Sequence, residues 1–112
     1  MNHVHLVGIV VWPVEVWSDR TTGRVFGKAM LAVSADNDPL AFVPVILQDS
    51  EAVDAGMYLG EGSRIEIIGH LHSSLLTNHD IGGNKRTRRV LHVIAERVKY
   101  LTVRSPQSGD RL

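Results

Sequence analysis

A run of basic residues between positions 85 and 89 is the stretch whose chemistry is easiest to interpret. It reads Lys85-Arg86-Thr87-Arg88-Arg89, and guanidinium and ammonium groups at this density favour contacts with phosphate. Successive side chains of a strand point to opposite faces. Lys85 and Arg89 therefore share one face, and Arg86 and Arg88 share the other. Only one pair can line a groove. The alternative is that some of these side chains form ion pairs with acidic residues of another subunit.

Two further groups of side chains on other predicted strands could extend such a basic path. Arg24 and Lys28 fall on one face of the second strand, and His70 and His72 fall on one face of the fourth. Neutral imidazoles can stack on a base or hydrogen-bond to it, and protonated imidazoles can contact phosphate. We therefore predict a nucleic-acid face that includes these four residues and the basic run.

Six histidines raise the question of a metal site. The alternating pairs His3/His5 and His70/His72 could each present two imidazoles if a third ligand converged. The sequence holds no cysteine and no His-Glu-x-x-His pattern, so we predict no metal and no other cofactor. Nor does it show a nucleophile with its base, a glycine loop for phosphate or a spaced carboxylate pair. We do not expect an enzyme.

The length and the distribution of charge limit the remaining possibilities. A chain of 112 residues is one domain by its size. The net charge is zero, but residues 29–66 hold one basic and seven acidic side chains, whereas residues 67–112 hold eight basic and three acidic ones. This asymmetry indicates one basic face on an acidic body, or simply a solvated surface. Without a basic leader or a long apolar run, a cytoplasmic, nucleoid-associated location is expected and no membrane contact.

The first strand has no polar side. Between Val4 and Val16 the residues are almost all apolar, and both faces of such a strand are expected to be buried. In a chain this small, a second buried face indicates a subunit partner or a closed barrel. Pro13 cannot donate a hydrogen bond and should end the pairing. We predict an oligomer interface formed by Val4, Leu6, Val7, Ile9 and Val11.

The order of elements predicts the fold class. Strands are expected at residues 4–16, 24–34 and 40–47, a short helix at residues 51–59, and a long hairpin over residues 62–101 with its turn at 77–84. Turns are expected at 18–23 and 36–39. Five strands with a helix between the third and the fourth predict an all-β OB-fold, a Greek-key barrel; an SH3-like barrel is the alternative. The domain should span residues 1–103, and residues 104–112 should form a flexible tail.

The residues of several segments resemble the bacterial single-stranded DNA-binding protein family. These segments are residues 1–8, Pro13 with Trp17, residues 31–34, and Tyr58 to Leu71 with its Tyr-Leu, Gly and strand-Gly pattern. The resemblance covers about the first hundred residues and implies an OB-fold whose groove stacks bases on aromatic rings. Phe42 falls on one of these aromatic positions, and Trp17 borders the groove. The family commonly has further aromatics at the positions of Asn37, Gln48 and Leu76.

The resemblance implies a homo-oligomer, a tetramer before a dimer, that binds single-stranded DNA without sequence preference in replication, repair or recombination. The family's acidic tail has no counterpart in residues 105–112, so recruitment of replication proteins by such a tail is not expected. One alternative is an accessory factor of replication restart that resembles primosomal replication protein B, which binds DNA and a helicase as a dimer. Another is an oligomeric scaffold that binds no nucleic acid.

Overall fold

The computed structural model describes residues 1–35 and 38–106. Asp36 and Asn37 of the predicted second turn, and residues 107–112 of the predicted tail, lie outside the described residues. The elements are β1 (Val4–Val10), β2 (Glu15–Ser18), β3 (Val25–Ala35), β4 (Asp38–Gln48), α1 (Ser50–Tyr58), β5 (Arg64–His79) and β6 (Lys85–Thr102).

Five of the strands close a ring in the order β1-β5-β6-β4-β3, because β1 also pairs with β3. All neighbours are antiparallel except β4 and β6, which are parallel. The short strand β2 extends the sheet at the edge of β3. Along the chain, helix α1 follows β4, the third of these five strands, and precedes β5, the fourth. The predicted OB-fold barrel is therefore confirmed, and the first apolar stretch is divided into β1 and β2 on either side of Pro13.

The core of the barrel follows the alternation of the sequence. Ile65 and Ile67 of β5 are fully buried, together with Leu31 of β3 and Leu47 of β4. Helix α1 packs on the end of the barrel through Ala52 and Ala55. A Cβ atom at Gly27 would lie 3.2 Å from the Ala52 Cβ, so this glycine permits the close approach of the helix. The apolar face of the helix thus covers the barrel core beside β3 and β4.

Strand β6 carries a bulge that reverses its alternation. The pairing shifts between Ile68 and Gly69 of β5, and Glu96 is the extra residue on β6. A Cβ atom at Gly69 would collide with the carbonyl oxygen of Ile94, so only glycine fits here. Before the bulge the odd residues of β6 face the core, and after it the even residues do.

The upper part of the hairpin pairs with no other strand among the described residues. The pairing of β1 with β5 ends at Gly69, and that of β4 with β6 ends at Val93. Beyond this point the Asn2 side chain hydrogen-bonds to both backbone groups of Leu71, at 2.7 and 2.8 Å. Residues 73–91, here called the arm, then continue as a free two-stranded ribbon. Its strands are longer than predicted, because Thr77 to His79 pair with β6 and the turn occupies only residues 80–84.

The end of the described chain stays attached to the barrel. The Arg104 N–H donates to the Ser63 hydroxyl at 2.9 Å, and the Gly60 N–H donates to the Arg104 carbonyl at 2.7 Å. Ser63 is the one buried polar residue among those described, and this contact satisfies it. These hydrogen bonds involve Arg104, the residue after the predicted domain boundary at 103, and the boundary itself stays a prediction.

Candidate nucleic-acid interface

A groove opens where the arm diverges from β4. The parallel pairing between β4 and β6 covers only two residues of each strand, beginning at Val45. Pro44, just before it, has no N–H to donate, and the two strands separate there. The resulting cavity has a volume of about 270 Å³. It is lined by Lys28, Pro44, Ile46, Ser74, Leu76, Val90 and His92.

The register of the hairpin divides the basic run between the two faces of the arm. Arg88 is paired with Leu76 and Arg86 with Asn78, so both arginines share the face of the groove-lining Leu76, which we call the groove face. Lys85 and Arg89 point to the opposite side, which we call the back face. The structure thus brings one of the two predicted sets to the groove and turns the other away from it.

Two imidazoles stand side by side at the base of the arm. His72 and His92 are cross-strand partners, and their ring centroids are 5.3 Å apart. Desolvation lowers the pKa of His92, and the neighbouring His72 and Lys28 lower it further. His72 and Lys28 were predicted site residues, whereas His92 was missed. Its position opposite His72 became visible only with the hairpin register.

His70 lies at an acidic cleft rather than in the groove. Its Nδ1 atom is 2.6 Å from Oε2 of Glu96. The open cleft beside it, of about 860 Å³, is also lined by Asp49, Glu51 and His72. Burial raises the pKa of Glu51. Carboxylates repel phosphate, so this cleft disfavours a contact between His70 and a polyanion. The nucleic-acid contact of His70 stays a prediction.

Arg24 is held by an acidic and an aromatic neighbour. Its Nη2 atom donates to Gln48 Oε1 at 2.9 Å and to Asp49 Oδ2 at 3.0 Å. The hydrogen bond from Arg24 is the main cause that lowers the pKa of Asp49. The guanidinium also lies 5.2 Å from the centre of the Phe26 ring, which stacks on Trp17 at 6.1 Å. Arg24 is therefore already paired, and Phe26 joins Trp17 as an aromatic surface that the sequence did not single out.

Phe42 lies on the outer face of the barrel, where it borders two surfaces. Its side chain is 63% exposed, and it stands two residues before Pro44 of the groove. Across the sheet it pairs with Ala32, which pairs in turn with Ile9 of β1. Phe42 can therefore take part either in the groove or in a contact made by the outer face of β1.

The predicted interface residues of β1 fall into two groups. Val4 and Leu6 are half-buried and pack against the core of the barrel. Val7 and Ile9 point outward and are exposed, and Val11 lies half-buried just beyond the strand. In the single chain, only one face of β1 is therefore covered. A contact between subunits through β1 would use the outward pair.

The part of the chain that the structure describes contains neither a cluster of metal ligands nor a membrane-spanning helix. Its His, Asp and Glu side chains nowhere form a group of three that could hold a metal ion. Among the same residues, no helix has the length and apolar character that crossing a membrane requires.

The closed ring, its parallel β4/β6 contact and the position of α1 define the class of this protein, the OB-fold. Among solved structures, the chain is similar to the dimeric N-terminal domain of the PriB protein from Thermoanaerobacter tencongensis. The TM-score is 0.64 at 24% identity, covering 89% of this chain and 96% of that one. No family model matches the chain, and no curated protein matches it in sequence. The fold implied by the sequence resemblance is confirmed, and membership of the single-stranded DNA-binding protein family stays a prediction.

Proposed function

We propose that this protein binds single-stranded DNA, without sequence preference, along the groove between β4 and the arm. One observation carries the proposal: Arg86 and Arg88 share the groove face with an apolar floor and with His92, whose partner His72 stands between the groove and the acidic cleft. Guanidinium groups bind phosphates, while apolar and imidazole surfaces pack against the face of any base. Such a surface suits a strand whose bases are unpaired.

The path of the strand follows from the charges around the groove. The basic groups nearest the groove lie on the arm and at Lys28, whereas the cleft beyond His70 is acidic. The Arg86 Nε atom also lies 3.8 Å from Oδ2 of Asp80 in the turn of the arm, a long contact on an exposed side chain that a phosphate would replace. We therefore place the strand between Phe42 and the arm, with its phosphates toward Arg86 and Arg88. His70 and Arg24, although predicted from the sequence, lie outside this path.

The biological role that we propose is that of an oligomeric accessory factor in DNA replication. The similarity to the dimeric PriB domain favours a restart factor over a general coating protein, and a dimer over a tetramer. The exposed Val7 and Ile9 of β1 are the candidate contact between subunits. Roles in repair and recombination, and a tetramer, remain the alternatives that the family resemblance implies.

The proposal is tested by titrating a fluorescently labelled dT oligomer at low and moderate salt. The affinity should fall with salt by about 0.7 logarithmic units per decade for each phosphate contacted. Changing Arg86 and Arg88 to Ala should weaken binding and reduce that slope by about 1.4, since two contacts are lost. The matched control changes Lys85 and Arg89 to Ala, which removes the same charge from the back face of the same strand.

The control makes the interpretation specific. General attraction to a basic hairpin would weaken both double variants equally, and the assignment of the groove face would then be wrong. If the wild-type protein shows no binding at either salt concentration, single-stranded DNA binding itself is excluded and the scaffold alternative stands.

A further inference from the structure

The back face of the arm carries exposed apolar side chains beside basic ones. Leu75 is 60% exposed and Leu91 is 62% exposed, and they lie diagonally across the two strands, next to Arg89. Within the described residues, neither Arg89 nor Lys85 forms an ion pair. The Arg89 side chain donates a hydrogen bond to the Ser73 hydroxyl, at 3.5 Å. This face is therefore apolar and positively charged, and its cations are available to a partner.

Helix α1 presents a surface of the complementary kind. Its inner face is buried through Ala52 and Ala55, but Val53 is 41% exposed and Met57 is 59% exposed on the outer side. These two residues are one turn apart and form an apolar stripe. Asp54 lies beside the stripe, and Glu61 follows the helix; neither forms an ion pair within the described part of the chain.

We propose that the back face of the arm of one copy binds the exposed face of α1 on a second copy. Each surface combines leucine-sized apolar groups with charged groups that form no ion pair in the described part of the chain. The charges on the arm are positive and those on the helix are negative, so the contact would pair them and bury the apolar groups of both. Within one chain, α1 packs against β2, β3 and β4, whereas residues 73–91 continue beyond the strands of the barrel. The partner of each surface is therefore a second copy.

The geometry of this contact differs from that of a symmetric dimer. Each copy uses two different surfaces, so the contact is heterologous and adds copies in a row unless a rotation closes a ring. The outward residues of β1 are not involved, and a dimer through β1 can form at the same time. The inference does not rest on DNA binding, although copies joined in this way would bind a long strand cooperatively.

The size of the two surfaces predicts a weak contact. Each surface offers few exposed apolar side chains. The area that the contact can bury is therefore smaller than the roughly 1,200 to 2,000 Å² of a standard interface. We therefore expect association only at concentrations on the order of tens of micromolar, and strong weakening by salt because the charged groups are exposed.

The test is sedimentation velocity of the DNA-free protein over a range of concentrations at low salt. The wild-type protein should form species beyond its basal oligomer as the concentration rises, and about 0.5 M salt should disperse them. Arg89→Glu and Asp54→Arg should each abolish this growth, and the two changes combined in one chain should restore it. The matched control is Arg88→Glu, which makes the same charge change on the groove face and should leave the growth intact.

Three outcomes would overturn the proposal. The first is a wild-type mass that stays constant up to about 100 µM, well above the range expected for a weak contact. The second is growth that persists in both single variants, and the third is a double variant that does not recover. All changes are at exposed positions, and circular dichroism verifies that each variant is folded. Binding of the short dT oligomer should be the same in Asp54→Arg as in the wild type, so the test is separate from that of DNA binding.

Discussion

The lower and upper halves of the long hairpin have the same alternating pattern, but neighbouring strands cover only the lower half. Ile67 lies in the lower half and is fully buried, whereas Leu75, eight residues later on the same face, is 60% exposed. The difference arises because β1 and β4 cover the lower half and end before the arm begins. Apolar alternation therefore indicates a strand, but neighbouring strands decide whether that strand contributes to stability or to binding.

The comparison predicts, first, a large difference in stability between two matched substitutions. Ile67→Ala removes buried methyl groups from the barrel and should lower the free energy of unfolding by about 2 to 5 kcal/mol. Leu75→Ala removes a side chain of the same size from the same face of the same strand. Because this site is exposed, its cost should stay within about 0.5 kcal/mol. Urea denaturation followed by circular dichroism measures both, and equal losses would show that the arm is part of the cooperative core.

The second prediction is that the arm can be removed without unfolding the barrel. Ser74 and Val90 are cross-strand partners, so an Asn-Gly turn can join them in place of residues 75–89. The shortened protein should keep a cooperative melting transition. It should lose about 150-fold in affinity for the dT oligomer, since two exposed arginine–phosphate hydrogen bonds contribute about 1.5 kcal/mol each, the lower end of the range for charged groups. Undiminished affinity would place the binding site on the barrel instead.

The third prediction concerns Phe42, which borders both the groove and the outer face of β1, and tests which of these two surfaces uses its ring. If a base stacks on this ring, Phe42→Ala should weaken binding by about 1 to 3 kcal/mol, or roughly 5- to 150-fold. If the ring instead belongs to a contact between subunits, sedimentation should show a lower mass, and binding to a short oligomer should be unchanged. Ile9→Ala is the control, because Ile9 lies in the same row on the side away from the groove.

Much of the barrel could be predicted from the sequence because its signals are local. The turn residues, the alternation of Ile65 and Ile67, and the acidic start of the helix each act over a few positions. The helix was expected at residues 51–59 and occurs at Ser50–Tyr58. The division of the hairpin into a covered half and an exposed arm depends on where β1 and β4 end, which no local pattern records.

The orientation of the basic run could not be predicted for the same reason. Val98 and Tyr100 pack against the core, and continuing their alternation back along β6 would turn Arg86 and Arg88 inward. The bulge at Glu96 reverses this phase and brings both arginines to the groove face. The pairing of Arg24 with Asp49 is also invisible in the sequence, since it joins residues 25 positions apart.

The smallest predicted effect is a pH dependence at the base of the arm, where the covered half of the hairpin gives way to the exposed half. Burial and the nearby Lys28 lower the pKa of His92 in the free protein, and a bound phosphate should raise it. Binding would then take up a proton, so affinity should increase as the pH falls through the raised pKa of His92 in the complex toward its lowered pKa in the free protein, by roughly threefold for one partly exposed charge contact. His92→Gln should remove this dependence.

The control is His70→Gln, because His70 is paired with Glu96 at the acidic cleft and its loss should leave the slope intact. A slope that disappears only with His70 would move the DNA path from the groove to that cleft.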